Sequence, residues 1–215
     1  MKRLTLALTL ALALGGSAQA VILPGGYTSL GGTTTAASPQ LAGTVLEDDV
    51  VPFTFSSAGG TVFGTVQSRV VRSTLDGTLD FYWRIISNAN SADTITQFRL
   101  ANFVAPLYSG DYATDGLGDI GPDAAFKFPG PGVNFVFGHD GGSELAAGMS
   151  SYFFFLDTSA NSYNRSAFYD LTTHSDISAS FSTFAPTAFV PEPGTSALVA
   201  GGIALLGLGR RRRQG

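Results

Sequence analysis

The 215-residue chain contains no cysteine. Disulfides, thiolate-bound zinc and a thiol nucleophile are therefore excluded, and packing alone must hold the fold. Basic side chains are scarce in the middle of the chain. Between Val21 and Phe189 there are six, Arg69, Arg72, Arg84, Arg99, Lys127 and Arg165, against 15 acids, a formal charge of −9 that the whole-chain value of −4 conceals. Binding nucleic acid requires clustered Lys and Arg to displace counterions, so a body this acidic is expected to have no nucleic-acid partner. The only histidines are His139 and His174, and neither H-E-x-x-H nor G-x-S-x-G occurs. No repeat of fixed period is present, which argues against a solenoid or propeller.

The two ends of the chain are the most legible parts. MKRLTLALTLALALGGSAQA places Lys2 and Arg3 before an apolar run from Leu4 to Leu14 and ends on Ala18 and Ala20. A basic start, a short apolar run and a small-residue ending together describe a secretory signal peptide over residues 1–20, cleaved after Ala20. At the other end, VPEPGTSALVAGGIALLGLGRRRRQG occupies residues 190–215. A helix through the 16 residues 194–209 would span about 24 Å, short of the ~30 Å hydrocarbon core, and its glycines weaken it further. Arg210, Arg211, Arg212 and Arg213 form a basic stop that the positive-inside rule holds in the cytoplasm. Pro191 and Pro193 keep the motif out of any helix interior or central strand. The layout is an extended, accessible motif, then a marginal span, then a basic stop.

Val190, Pro191, Glu192 and Pro193, with the glycine-rich apolar run and the four arginines, closely resemble the PEP-CTERM sorting signal. The resemblance covers the last 26 residues. It implies that the chain is the substrate of an exosortase, a membrane protease-transpeptidase of Gram-negative bacteria that make extracellular polysaccharide. The implied route is export by the general secretion machinery, transient insertion in the inner membrane, and delivery to the cell surface or extracellular matrix. Gly194 stands where the family usually has Ser or Thr, with Thr195 next. More loosely, GTVQSRVVRSTLDGTLDFYWRI and LAAGMSSYFFFLDTSANSY resemble the small β-rich exported domains that precede such tails.

Residues 21–43 are rich in Gly, Thr, Ser and Pro and read as irregular or edge structure. From residue 44 to 189 the chain alternates Val, Ile, Phe, Tyr and Thr runs with Gly, Asp, Asn and Ser. In TLDFYWRII, Leu79, Phe81, Trp83 and Ile85 alternate with Thr78, Asp80, Tyr82 and Arg84, the two-residue period of a strand. Asp76-Gly77 just before it suits a tight hairpin with the preceding TVFGTVQSRVVRS. TVLEDDVVPFTF, TITQFRLANFVA, VNFVFG, SSYFFFLDT, SAFYDLT and ISASFSTF bring the total to about eight strands, with SSYFFFLDT buried on both faces. The expected body is all-β, an antiparallel two-sheet β-sandwich, flanked by a signal helix and a short C-terminal transmembrane helix. The stretch from Ser109 to Pro131 reads as its longest loop.

Candidate chemistry in this body is thin. Asp111, Asp115, Asp119 and Asp123 fall every fourth residue in that stretch. They suit calcium, which takes six to eight oxygens, or simply make the turns of a solvated loop. An EF-hand beginning at Asp111 would place Ala113 and Pro122 at ligand positions, so that template fails. His139-Asp140 ahead of Gly141-Gly142 and Glu144 suggests a metal or a general acid-base pair. Tyr108 and Tyr112 beside Asp111 could stack on a sugar or pack against the loop's base. The leading expectation is a non-enzymatic structural or binding module associated with extracellular polysaccharide, with no obligatory cofactor. A secreted glycan hydrolase and a calcium-dependent adhesion module are the alternatives. Replacing Pro191, Glu192 and Pro193 by alanine is expected to leave the protein unprocessed and mislocalised in its host, read from its mature mass and cellular fraction; unchanged processing and location would defeat the sorting assignment.

Overall fold

A computed structural model describes residues 21–23, 25–104, 108–174 and 176–187. The signal segment, Ala20, the sorting motif, the apolar run 194–209 and the basic stop lie outside them. Among the described residues no helix is long and apolar enough to cross a membrane.

Among the described residues twelve strands follow in chain order: β1 (Val21–Ile22), β2 (Gly26–Ser29), β3 (Gly43–Ser57), β4 (Gly60–Ser73), β5 (Leu79–Ser87), β6 (Gln97–Ala101), β7 (Tyr108–Ala113), β8 (Ala124–Lys127), β9 (Val133–Val136), β10 (Phe153–Thr158), β11 (Tyr163–Thr172) and β12 (Phe181–Pro186). They form two antiparallel six-stranded sheets, ordered β1-β7-β10-β5-β4-β3 and β12-β11-β6-β9-β8-β2. Each of the eight expected strand segments lies on a strand. The Asp76-Gly77 link joins β4 to β5 as expected, with Gly77 at φ 77°, a backbone region that suits glycine.

The sheets pack face to face. Val62, Val66 and Val70 of β4, Phe81, Trp83 and Ile85 of β5, and Phe154 and Leu156 of β10 form one wall. Phe98, Phe135, Tyr169 and Phe184 form the facing one. Phe98 packs edge-on to Phe154 at 5.0 Å and stacks on Tyr169 at 4.9 Å, while Phe135 lies 4.7 Å from Phe154. A polar tie through this core runs from Trp83 Nε1 to Thr183 Oγ1, 2.9 Å, and Thr183 in turn hydrogen-bonds Ser68, 3.3 Å. An indole N–H buried this deeply requires an acceptor, and β12 supplies it from the opposite sheet.

β10 is buried on both faces, as its unbroken apolar run predicts. Phe153 and Phe155 point away from the main core and join Val71, Tyr82 and Leu41 in a second cluster. Leu41 belongs to a strap, residues 30–42, that crosses the outer face of the first sheet. Thr33 pairs with Ala113, and the Tyr82 hydroxyl donates to the Leu41 carbonyl at 3.3 Å.

One expectation changes. Residues 109–131 are not one long loop, because they contain most of β7 and all of β8. Their strand character is hidden because the buried positions are small or polar: Gly110, Asp111, Ala124 and Ala125 are all buried. Residues 21–43 are edge structure at both sheets, with β1 closing one edge and β2 the other.

β3 is the far edge of the first sheet, 15 residues long. Its register with β4 shifts between Val45 and Glu47, Pro52 sits within it, and Asp48 and Asp49 are tied to Arg69 and Arg165.

Replacing Thr183 by valine keeps the volume but removes the acceptor of the Trp83 indole. A loss of about 1–3 kcal/mol is expected in urea unfolding, the cost of an unsatisfied buried donor.

Candidate functional site

The four aspartates of the calcium expectation are not brought together. Asp111 Oδ1 accepts the Gly32 and Tyr112 amides at 2.8 and 2.9 Å, and Asp115 Oδ2 accepts the Thr35 amide at 2.7 Å. Asp119 Oδ2 accepts the Ser150 amide and hydroxyl at 2.7 and 3.1 Å. Asp123 Oδ2 accepts the Gly138 and His139 amides. Each carboxylate thus fastens a different piece of backbone: Asp111 and Asp115 hold the strap, Asp119 the approach to β10, and Asp123 the turn after β9. Among the described residues no three acidic or imidazole side chains lie where they could share a cation.

The histidines are likewise apart. His139 lies 3.4 Å from Asp140 and its ring packs on Tyr27 at 4.4 Å. Glu144 does not serve His139. It accepts from Thr94 at 2.9 Å and pairs with exposed His174 at 2.9 Å. Tyr108 is buried in the core and Tyr112 stacks on Tyr152 at 5.9 Å, so this tyrosine pair offers no open platform for a sugar.

A polar groove of about 360 Å³ instead lies on the outer face of the second sheet. Gln97 and Arg99 of β6, Asn134 of β9 and Thr172 of β11 line it, with Phe128 at one side and His174 at the other. The two-residue period of each strand explains this face, because Phe98, Leu100, Phe135 and Leu171 turn into the core and leave their neighbours outward. Asn134 Nδ2 donates to Gln97 Oε1 at 3.1 Å, and Arg99 Nε lies 3.4 Å from Asp170 Oδ1. Burial raises the Asp170 carboxyl above its ordinary range, while Arg99 opposes the shift. Phe128 is 43% exposed and packs edge-on to Phe126 at 4.8 Å. Planar hydrogen-bonding groups beside a held aromatic ring can receive a ligand with many hydroxyls and an apolar face.

A second polar feature lies on the outer face of the first sheet. Asp80 of β5 and Asp157 of β10 are directly opposite each other across the strand pair. Asp80 is 1% exposed, and neither of its oxygens receives a hydrogen bond from a donor group among the described residues. Asp157 is half-buried, close to Ser109 Oγ at 3.4 Å, and lines a cleft of about 290 Å³ with Asp76, Thr78, Tyr108 and Thr158.

Comparison with protein families identifies residues 189–213 as a PEP-CTERM protein-sorting motif. The chain carries a PEP-CTERM sorting signal. It therefore marks an exported protein sorted toward the cell surface and recognised by an exosortase. Neither a curated protein nor a solved structure matches the chain. The signal matches 25 residues near the C-terminus, all beyond the described sandwich that holds the groove and the carboxyl pair.

None of the groove residues, nor Asp80 with Asp157, is among the site candidates drawn from the sequence. The signal that could have found the pair is its spacing within two neighbouring strands: both aspartates stand where the outward face of a doubly buried strand calls for apolar side chains. Burial first, and then the charge of Asp157, pushes the Asp80 carboxyl up to about 9. Burial also raises Asp157. Asp80 accordingly keeps its proton at neutral pH and donates it toward Asp157. In the unfolded chain Asp80 ionises near the ordinary carboxylate value, so between pH ~4 and ~9 the folded state binds one more proton and stability falls as pH rises. Asp80→Asn, a neutral isostere that retains a donor toward Asp157, is expected to flatten this fall, by up to about 1.4 kcal/mol per pH unit, in urea unfolding between pH 5 and pH 8 in metal-free buffer.

Proposed function

We propose that this exported protein is a non-enzymatic module that holds extracellular polysaccharide on the outer face of its second sheet. The observation that carries the reading is the groove itself, where Gln97, Arg99, Asn134 and Thr172 present amide, guanidinium and hydroxyl groups beside the exposed ring of Phe128. Sugars are recognised by that pairing of planar polar groups with an aromatic face. The formal charge of −9 between Val21 and Phe189 favours neutral glycans, or acidic ones met through Arg99. In this reading the general secretion machinery carries the chain across the inner membrane, the C-terminal apolar run holds it there briefly, and exosortase releases it to the surface or matrix.

A glycan hydrolase would need two carboxyls that both reach the scissile bond. Asp80 lies too deep to touch a polymer, which weighs toward binding over hydrolysis.

Affinity electrophoresis of the purified exported protein through a gel containing its host's extracellular polysaccharide tests the reading. Wild-type protein is expected to be retarded. Phe128→Ala, or Gln97→Ala with Asn134→Ala, is expected to weaken binding about tenfold, the loss of one contact worth ~1.4 kcal/mol, with circular dichroism unchanged. Equal retardation of wild type and both variants, or none for wild type, would reject the groove.

A further inference from the structure

Building on the glycan reading of the polar groove, we propose that the groove is one end of a longer track across the outer face of the second sheet, and that this track holds a linear, neutral glycan lying at right angles to the strands. Strand register builds the track. Asp170 of β11 stands opposite Arg99 of β6, Arg99 opposite Asn134 of β9, Asn134 opposite Phe126 of β8, and Phe126 opposite Tyr27 of β2. Cross-strand partners project from one face, and the neighbours of four of them along their strands, Leu171, Leu100, Phe135 and Ala125, turn into the core. None of the five in the row is buried. Neighbouring strands lie about 4.8 Å apart, so the row runs for about 19 Å, several times the length of a single sugar ring.

The far end of the row repeats what the groove has at its near end, a ring held in place beside polar groups. Tyr27 is 41% exposed and packs on the His139 ring, and Phe126 packs on Phe128, whose own ring forms one side of the groove. Rings already fixed in the free protein lose little freedom when a sugar stacks on them. A glycan laid along the row leaves the guanidinium and amide of Arg99 and Asn134 and meets an aromatic side chain at each of the next two strands, so its recognition grows with its length. Charge selects the kind of chain. Among the described residues each basic side chain along the track has an acidic partner: Arg99 has Asp170, His139 has Asp140 and His174 has Glu144. No unmatched cation is left for a sugar carboxylate, and the acidic body repels one, which favours a neutral chain over an acidic one.

The test is calorimetric titration of the purified exported protein with fragments of its host's extracellular polysaccharide, cut by partial acid hydrolysis and sorted from about two to about six sugars to bracket the length of the row. Wild-type affinity is expected to rise with fragment length and to level off at about four sugars, the number that ~19 Å admits. Tyr27→Ala is expected to lose about tenfold in affinity for fragments of that length. It is expected to bind the shortest fragments, which the groove holds alone, as wild type does, and this also reports that the variant is folded. Chemical reduction of any carboxylates in the fragments to alcohols is expected to leave binding undiminished. An affinity that stops rising at the shortest fragments, or a Tyr27→Ala variant that binds long fragments as tightly as wild type, would overturn the track and leave the groove standing. Binding lost on carboxylate reduction would overturn the neutral chain. No binding at any length would reject the groove and the track together.

Discussion

The constraint on which the rest of this structure depends is that its first sheet must be covered on both sides. β5 and β10 send Trp83, Ile85, Phe154 and Leu156 into the space between the sheets, yet Tyr82, Phe153 and Phe155 on their other face are equally shielded from water. A sheet with aromatic side chains on both faces needs a second covering layer, and here the strap supplies it. Over that outer face the strap contributes Leu41, and hydrogen bonds hold it in place. Asp111 and Asp115 accept its amides, and Tyr82 donates to a carbonyl within it. Burial raises the Asp111 carboxyl, and the amides of Tyr112 and Gly32 work against that rise.

This also explains the aspartates between β7 and β9. Their regular four-residue spacing invites a single ion, but each answers a local need for a backbone acceptor. Sequence spacing does not reveal whether carboxylates converge, because in strands and turns the direction of a side chain changes with every residue. The pair that does converge, Asp80 and Asp157, is 77 positions apart in the chain and is joined only by the pairing of β5 with β10.

Strand character was legible wherever side chains alternate or form long apolar runs. TLDFYWRII and SSYFFFLDT show it most plainly, and both lie in the middle of the first sheet. β7 and β8 were illegible because they are short and their buried positions are tyrosine, glycine, aspartate or alanine, and β2 because it is four residues long with none of them buried. The sorting signal was legible as a motif, since its recognition depends on the order of a few residue types and not on packing. The groove was not, because Gln97, Arg99 and Asn134 look like ordinary solvent-facing residues until β6 and β9 are placed side by side.

The long outer strand β3 is the exposed edge of the first sheet. A free edge of 15 residues would ordinarily offer its unpaired amides and carbonyls to a neighbour's edge. The register shift near Glu47 bends the ladder, Pro52 removes one donor, and the run Glu47-Asp48-Asp49 sets like charges against each other in an antiparallel self-pairing centred on Asp48. The free edge of β3 is thereby made a poor template for pairing with another edge strand.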